Sequence, residues 1–317
     1  MSAPPPIDAV VIGRNEGARL LACLRSLQGQ VREVIYVDSG STDGSAEAAA
    51  GLGARVVQLD LTQPFTAARA RNAGLAEVDE DAEFVQFVDG DCTVDATWVG
   101  AGVEFLRQTP NCAVVCGRRR EAHPEHSIYN RLCDLEWDTP IGPANACGGD
   151  ALMRRAALEQ VGGYRDDLIA GEEPELCVRL RQTGWSIHRL DAEMTLHDAQ
   201  MLRFSQWWRR TRRAGHAFAE GAHLHGAPPE RHWVRETRRA LAWGMMLPIM
   251  LFLLTLLRPT GVLLLTLYPA QVARLSRRMG WDAALFTTLG KFPEALGVLE
   301  FHLLRLQRKR RGLIEYR

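Results

Sequence analysis

Two acidic pairs in this chain have the residue types and spacing for chemistry. Asp89-Gly90-Asp91 ends the apolar run Phe84-Val85-Gln86-Phe87-Val88, and Glu172-Glu173 lie within Gly171-Glu172-Glu173-Pro174-Glu175-Leu176. Side chains alternate along an extended strand, so if extension persists through Gly90 the two aspartates project to one side. Such a pair suits a hard divalent cation, Mg²⁺ or Mn²⁺. Asp-Gly is also ordinary turn chemistry, so a surface turn remains the plainer reading. Glu172 and Glu173 fall at or just before a helix start, because Pro174 fits the first helical turn. Acidic residues there often do no more than satisfy free amides and the helix dipole.

The elements that must position these pairs can be read along the chain. Asp8 to Gly13, Glu33 to Val37, Arg55 to Leu59 and the Phe84 run are short apolar segments that predict strands. Helical patterns lie between them, the first with Leu20, Leu21, Leu24 and Leu27 on one face, the third containing Arg69, Arg71 and Asn72. Strand alternating with helix predicts an α/β class with a mostly parallel, doubly wound, Rossmann-like sheet flanked by helices. In such sheets ligands bind at the carboxyl ends of strands, where Asp38 and Asp89 stand. A helix near Thr97 to Gln108 and a strand at Ala113 to Gly117 follow. His123 to Ala146 is expected to be irregular, with a helix from about Met153 to Val161 closed by Gly162-Gly163. A strand is expected at Trp185 to Leu190, before Met194-Thr195-Leu196-His197-Asp198. No G-x-G-x-x-G follows the first strand and there is no Walker A motif, which disfavours an NAD enzyme and a P-loop NTPase.

The chain has 317 residues, 24% of them charged and 46% hydrophobic, with 38 basic and 38 acidic residues giving zero formal net charge. These are globular values, and the length allows one large domain or two. The seven cysteines are scattered without paired zinc spacing, which suits reduced thiols in a cytosolic compartment. Met1 to Pro6 lacks a charged and an apolar region, so no secretory signal is predicted.

Beyond position 200 the composition changes. Phe204, Trp207, Trp208 and Phe218 are interleaved with Arg209, Arg210, Arg212 and Arg213, a mixture suited to a membrane interface. No nucleic-acid motif accompanies these arginines, and no nucleic-acid partner is expected. Ala240 to Ala273 carries one charge, Arg258 beside Pro259, with arginines outside both ends. The arms, Leu241 to Leu257 and Gly261 to Ala273, fall short of a comfortable full span, and flanking charge on both sides favours a re-entrant or interfacial hairpin. A buried helical pair is the other reading. Ala283 to Leu306 predicts an amphipathic helix, and Arg308 to Arg311 a basic tail for anionic lipid. The expected division is 1–200 catalytic, 201–240 basic and aromatic linker, and 241–317 hydrophobic hairpin with a terminal amphipathic helix.

VVIGRNEG, VDSGSTDGS, ARARNAG, FVDGD and GEEPEL occur in this order over roughly residues 8 to 200. In this order they resemble the family 2 glycosyltransferases of GT-A fold, including bacterial exopolysaccharide and cell-envelope enzymes. The resemblance implies an inverting, metal-dependent hexosyltransferase that moves a sugar from a nucleotide-sugar donor to an acceptor hydroxyl. Carried onto this chain, Asp38 would contact the nucleobase edge and Arg71 would fix the nucleotide, with Asn15 and Glu16 in the same donor-binding set. Asp89 would sit near ribose or metal, and Asp91 would be the direct metal ligand. Glu173 takes the place of the catalytic base, with Glu172 beside it where the pair reads Glu-Glu instead of Glu-Asp. His197 would supply a third metal ligand, although a lone histidine also fits a structural role. Gln206 to Arg210 only partly resembles the QxxRW motif of processive synthases, lacking its final Trp. Sugar specificity is expected to lie in Arg119 to Asn145 and near Gly148. The implied partners are a nucleotide-sugar, a glycan or lipid-linked acceptor, and the cytoplasmic face of a bacterial inner membrane. A silent sugar-nucleotide-binding partner and a nucleotidyltransferase-like relative are the competing readings.

Overall fold

The β-branched run Ile7–Gly13 forms β1, buried along almost its whole length. In the computed structural model, which describes residues 6–307, β1 pairs in parallel with β2 (Glu33–Asp38) on one side and β4 (Phe84–Asp89) on the other. The outer strand β3 (Arg55–Gln58) continues this arrangement parallel to β2. The crossovers are α1 (Ala18–Leu27), α2 (Ser45–Gly51) and α3 (Ala67–Leu75). Helix α1 forms because Leu20, Cys23, Leu24 and Leu27 recur at helical spacing and are all buried. Helix α3 is capped by Thr66, whose hydroxyl accepts from the Arg69 amide at 3.1 Å. It lies close on the sheet at Gly74, where a Cβ would come within 2.3 Å of Val10. The register places Gly13 opposite Asp38 and Ile12 opposite Asp89, so both aspartates end their strands at one edge, on either side of β1.

The second half of the sheet adds antiparallel strands to this parallel arrangement. After β5 (Cys92–Val94), α4 (Trp98–Gln108), β6 (Cys112–Glu121), α5 (Ile128–Trp137) and β7 (Gly142–Pro143), the chain enters β8 (Ala151–Arg154), α6 (Arg155–Val161), α7 (Glu172–Gln182) and β9 (Ser186–His197). The strand order is β3-β2-β1-β4-β8-β6-β9-β5, with β7 beside β9. Strand β8 runs antiparallel to both β4 and β6, while the three longest pairings among the described residues, β1 with β2, β1 with β4 and β6 with β9, are parallel. The sheet is therefore mixed. Residues Met153 and Arg154, expected at a helix start, belong to β8, because slots between β4 and β6 override weak local propensity. The stretch expected to be irregular contains helix α5. Its Ile128, Leu132 and Leu135 keep helical spacing, but polar residues between them blur the pattern. The last strand also runs unbroken from Ser186 to His197, well past Leu190.

The core of this unit includes Phe84, Phe87, Trp98, Leu106, Leu152 and Met153, all fully buried. Each such side chain contributes about 1.5–3 kcal/mol by leaving water. Gln86 is buried among them and accepts from Trp98 Nε1 at 2.8 Å, so its polar end is satisfied.

The described chain divides into two units between Gln200 and Met201, with Ser127–Leu132 grouped with the second. The second unit is helical. It contains α8 (Phe204–His225), then a continuous helix over Val234–Leu257 made of α9 (Val234–Leu241), a π-turn at Ala242–Met246 and α10 (Leu247–Leu257). The helix is long and apolar enough to cross a membrane, and 11% of its most apolar window is buried. Arg258 is extended, and a 3₁₀ segment, Pro259–Thr266, leads to α11 (Leu267–Met279). The chain reverses here: Gly261 lies against the Leu254 backbone and the Tyr268 hydroxyl donates to the Trp243 carbonyl at 2.8 Å. The expected single helix from Ala283 to Leu306 is broken at Gly290 into α12 (Trp281–Leu289) and α13 (Lys291–Leu306). Arg308 to Arg311 lie outside the described residues.

Candidate active site

Strand β4 ends at Asp89, and the chain turns through Gly90 and Asp91 before β5. Asp89, Gly90 and Asp91 thus form a turn between two strands. Its members face different partners. Asp89 accepts from Arg71 Nη2 at 2.7 Å and lies 3.4 Å from Arg119 Nη2. Asp91 Oδ2 lies 2.9 Å from His197 Nε2. Strand β9 delivers His197 because it pairs with β5 at Cys92, and the Asp198 amide donates to the Asp91 carbonyl.

Arg71 is almost fully buried and its other end donates to Glu172 Oε1 at 2.7 Å. Burial opposes the charge, but Asp89 and Glu172 outweigh it and raise the guanidinium pKa. The ring of Tyr164 lies 5.6 Å from this guanidinium. Arg71, Asp89 and Glu172 thus form one chain of charge linking the end of β4, α3 and the first turn of α7. Gly149 lies against it: a Cβ there would stand 2.8 Å from Arg71 Nη2 and 2.9 Å from Asp89 Oδ2.

Asp150 is fully buried and braces the strand end, accepting from the Asp89 amide at 2.9 Å and the Thr195 hydroxyl at 2.9 Å. Arg119 reaches toward it from β6 at 3.5 Å and stacks over Trp137 at 4.9 Å. Trp137 in turn meets His197 edge-on, with centroids 4.7 Å apart. Arg119 and Trp137 fall within the Arg119 to Asn145 stretch expected to carry sugar specificity, and Cys147 and Asp150 flank Gly148 and Gly149, but the sequence assigned none of the four its individual contacts.

Burial, reinforced by Arg119, lowers the His197 imidazole to about 3, so the ring is neutral. Its Nδ1 is buried with no hydrogen-bond partner among the described residues. A carboxylate oxygen and a neutral imidazole nitrogen at 2.9 Å have the separation of two ligands sharing one cation, and the residue types fit Mn²⁺ or Mg²⁺.

Asp38 and Asn15 shape the neighbouring loop. Asp38 is buried, accepting from the Tyr36 hydroxyl at 3.0 Å and from the Gly40 and Ser41 amides at 3.1 and 2.9 Å. Asn15 Oδ1 accepts from the Thr42 amide at 2.7 Å, while its own amide donates to Ser41 Oγ. Glu16 pairs with Arg19 at 2.6 Å.

Glu173 is placed apart from its neighbour. It is buried, and Oε1 accepts from the Cys147 amide at 2.6 Å and from the Cys147 and Cys177 thiols at 2.9 and 3.0 Å. Burial raises its carboxyl above the usual range despite these donors. The two glutamates therefore differ: Glu172 is ion-paired with Arg71, and burial raises the proton affinity of Glu173.

A mixed sheet of this order, flanked by helices and carrying an acidic pair at the end of β4, is the GT-A fold. Residues 8–162 match the model of Glycosyl transferase family 2. The chain is 24% identical over 199 residues to glycosyltransferase AglE of Haloferax volcanii, covering 59% of itself and 64% of that protein. It is 25% identical over 171 residues to the O-antigen chain rhamnosyltransferase WbaN of Salmonella anatum, covering 50% of itself and 54% of WbaN. The chain thus spans about half to two thirds of these curated relatives. Its structure is similar to mannosyltransferase PcManGT from Pyrobaculum calidifontis, solved with GDP-Man and Mn²⁺. That likeness has a TM-score of 0.68 at 21% identity and covers 94% of this chain and 88% of the other.

Proposed function

We propose that this chain is an inverting glycosyltransferase that moves a sugar from a nucleotide-sugar to an acceptor hydroxyl. The carrying observation is the convergence at one sheet edge of two constellations, Arg71 with Asp89 and Glu172, and Asp91 with His197. Asp91 and His197 are the residues to hold Mg²⁺ or Mn²⁺. When bound, that cation supplies charge neutralisation at the departing diphosphate. Arg71, Asp89, Asp38, Asn15 and Glu16 form the donor side, and Arg119 adds a cation beside Asp89.

Glu173 is the base, and Glu172 a positioning residue through Arg71. As the acceptor oxygen bonds to the sugar's anomeric carbon, the bond from that carbon to the diphosphate oxygen breaks. Its electron pair leaves with the nucleoside diphosphate, and the acceptor proton passes to Glu173. The raised proton affinity of a buried carboxylate favours that role.

The acceptor is a lipid-linked or cell-envelope glycan, and the second unit anchors the chain at the cytoplasmic face of a membrane, where donors are made. Support comes from the exposure of Phe252, Leu256 and Leu257 on α10 and Leu263 and Leu265 after the reversal. We retain 1–200 as the catalytic part, 201–240 as a basic and aromatic linker, and 241–317 as the anchoring part. A thermal-shift screen of nucleotide-sugars with and without Mn²⁺ tests the reading. The expected result is one donor whose stabilisation requires Mn²⁺, followed by release of nucleoside diphosphate in the presence of acceptor. Stabilisation by no donor, or release of pyrophosphate, overturns it.

A further inference from the structure

A second set of ligating side chains gathers at the start of α7. Cys147 Sγ and Cys177 Sγ are 3.8 Å apart, and Glu173 Oε1 lies 2.9 Å from the first and 3.0 Å from the second. All three ligand atoms fall within 4.8 Å of one another. The arrangement follows from local geometry. Cys177 stands four residues after Glu173 on the same face of the helix, and the Cys147 amide, donating to Glu173, draws the loop before Gly148 onto that face. Glu173 and Cys177 are buried, while Cys147 is half-buried and gives the cluster a route to solvent.

Two thiols and a carboxylate are a ligand set for a borderline-soft cation and a poor one for Mg²⁺. A tetrahedral zinc with Zn–S of about 2.3 Å requires sulfurs about 3.8 Å apart, the spacing these two already have. A disulfide would require the two sulfurs, now 3.8 Å apart, to close to about 2.0 Å.

We propose that Cys147, Glu173 and Cys177 form a binding site for a thiophilic divalent cation of the Zn²⁺ class, separate from the Asp91–His197 pair. On binding, the two thiol–carboxylate hydrogen bonds give way to two metal–thiolate bonds and one metal–carboxylate bond. Two thiol protons leave to solvent, and no oxidant is needed. A fourth position remains for water. The consequence for turnover rests on Glu173 being the base: an occupied site commits its carboxylate to the metal and stops proton removal. The binding itself does not depend on that reading.

The test uses the full chain, reduced, titrated with Co²⁺ as a spectroscopic stand-in for Zn²⁺. The expected result is a sulfur-to-cobalt charge-transfer absorption that saturates at one ion per chain and is lost when Zn²⁺ displaces Co²⁺. Cys147→Ser and Cys177→Ser should each lose the absorption, and Cys112→Ser should keep it. In the wild-type chain Zn²⁺ should also abolish iodoacetamide labelling of Cys147, read by peptide mass, which guards against a variant that fails to fold. Absence of the absorption in wild type, its survival in both serine variants, or unchanged labelling of Cys147 under Zn²⁺ overturns the site. Turnover is read separately with saturating Mn²⁺ present, each variant against its own rate without Zn²⁺. Zn²⁺ binding with loss of turnover supports both proposals, and binding with unchanged turnover keeps the site but removes Glu173 as base.

Discussion

Arg71 and Asp89 are joined by a 2.7 Å ion pair in which the arginine is almost wholly buried, and the same guanidinium holds Glu172 at 2.7 Å. One side chain thus ties the end of β4 to the first turn of α7, bringing together carboxylates 83 positions apart in the sequence (172 − 89). A lysine ammonium is a single point charge and cannot reproduce the two-ended fork. Arg71→Lys is expected to lower stability by roughly 3 kcal/mol, since loss of one partner leaves buried charge uncompensated. Urea unfolding measures the loss, and the donor-induced thermal shift should shrink with it. A variant of unchanged stability would show that the bridge does not hold α7 in place.

The two glutamates should separate kinetically. Glu173→Gln keeps the Arg71–Glu172 pair intact, so donor binding by thermal shift should persist while kcat falls about 10²–10⁴-fold. Glu172→Gln releases one end of Arg71, so its larger effect should be on donor binding and KM. Release of nucleoside diphosphate gives the rates. The opposite pattern would make Glu172 the base.

Gly149 offers a test confined to the donor side. A Cβ there meets the tips of Arg71 and Asp89 and no backbone atom among its nearest neighbours. Gly149→Ala should therefore cost about 1–3 kcal/mol at most, as overpacking does, while displacing the Arg71–Asp89 pair. The expected outcome is a cooperative melt close to wild type with weakened Mn²⁺-dependent donor stabilisation. Wild-type donor stabilisation would show that the pair tolerates displacement.

The parts of the site that sequence reasoning reached are those in which a carboxylate abuts an apolar strand or a helix start. Asp38, Asp89 and Asp91 follow runs whose burial is written in their composition, and Pro174 marks the helix that presents Glu172 and Glu173. Arg119, Asp150 and Cys147 carry no such mark. They arrive because β8 inserts antiparallel between β4 and β6, a long-range pairing that local periodicity does not encode. The same insertion supplies antiparallel pairings to a sheet expected to be mostly parallel. Trp137 lies in the stretch expected to carry sugar specificity, but its helix is illegible there because polar residues interrupt the spacing of α5.

The helix over Val234–Leu257 leaves large apolar side chains exposed. Phe252 is 64% and Leu256 68% exposed, on a segment of mean hydropathy 2.2. In water such a face favours aggregation, and against lipid its burial is favourable. The basic residues Arg235, Arg238 and Arg239 lie on the preceding helical turns, placed to meet anionic headgroups. Wild-type chain should float with anionic vesicles and sediment with cell membranes. Phe252→Lys combined with Leu256→Lys adds a cost of roughly 3 kcal/mol per charge toward the centre of a bilayer, so the double variant should shift to the soluble fraction. Its first unit is unaltered in sequence, so Mn²⁺-dependent donor stabilisation should remain. If the double variant still floats as wild type does, the anchor lies elsewhere; if wild type stays soluble and monodisperse without detergent, the membrane reading fails.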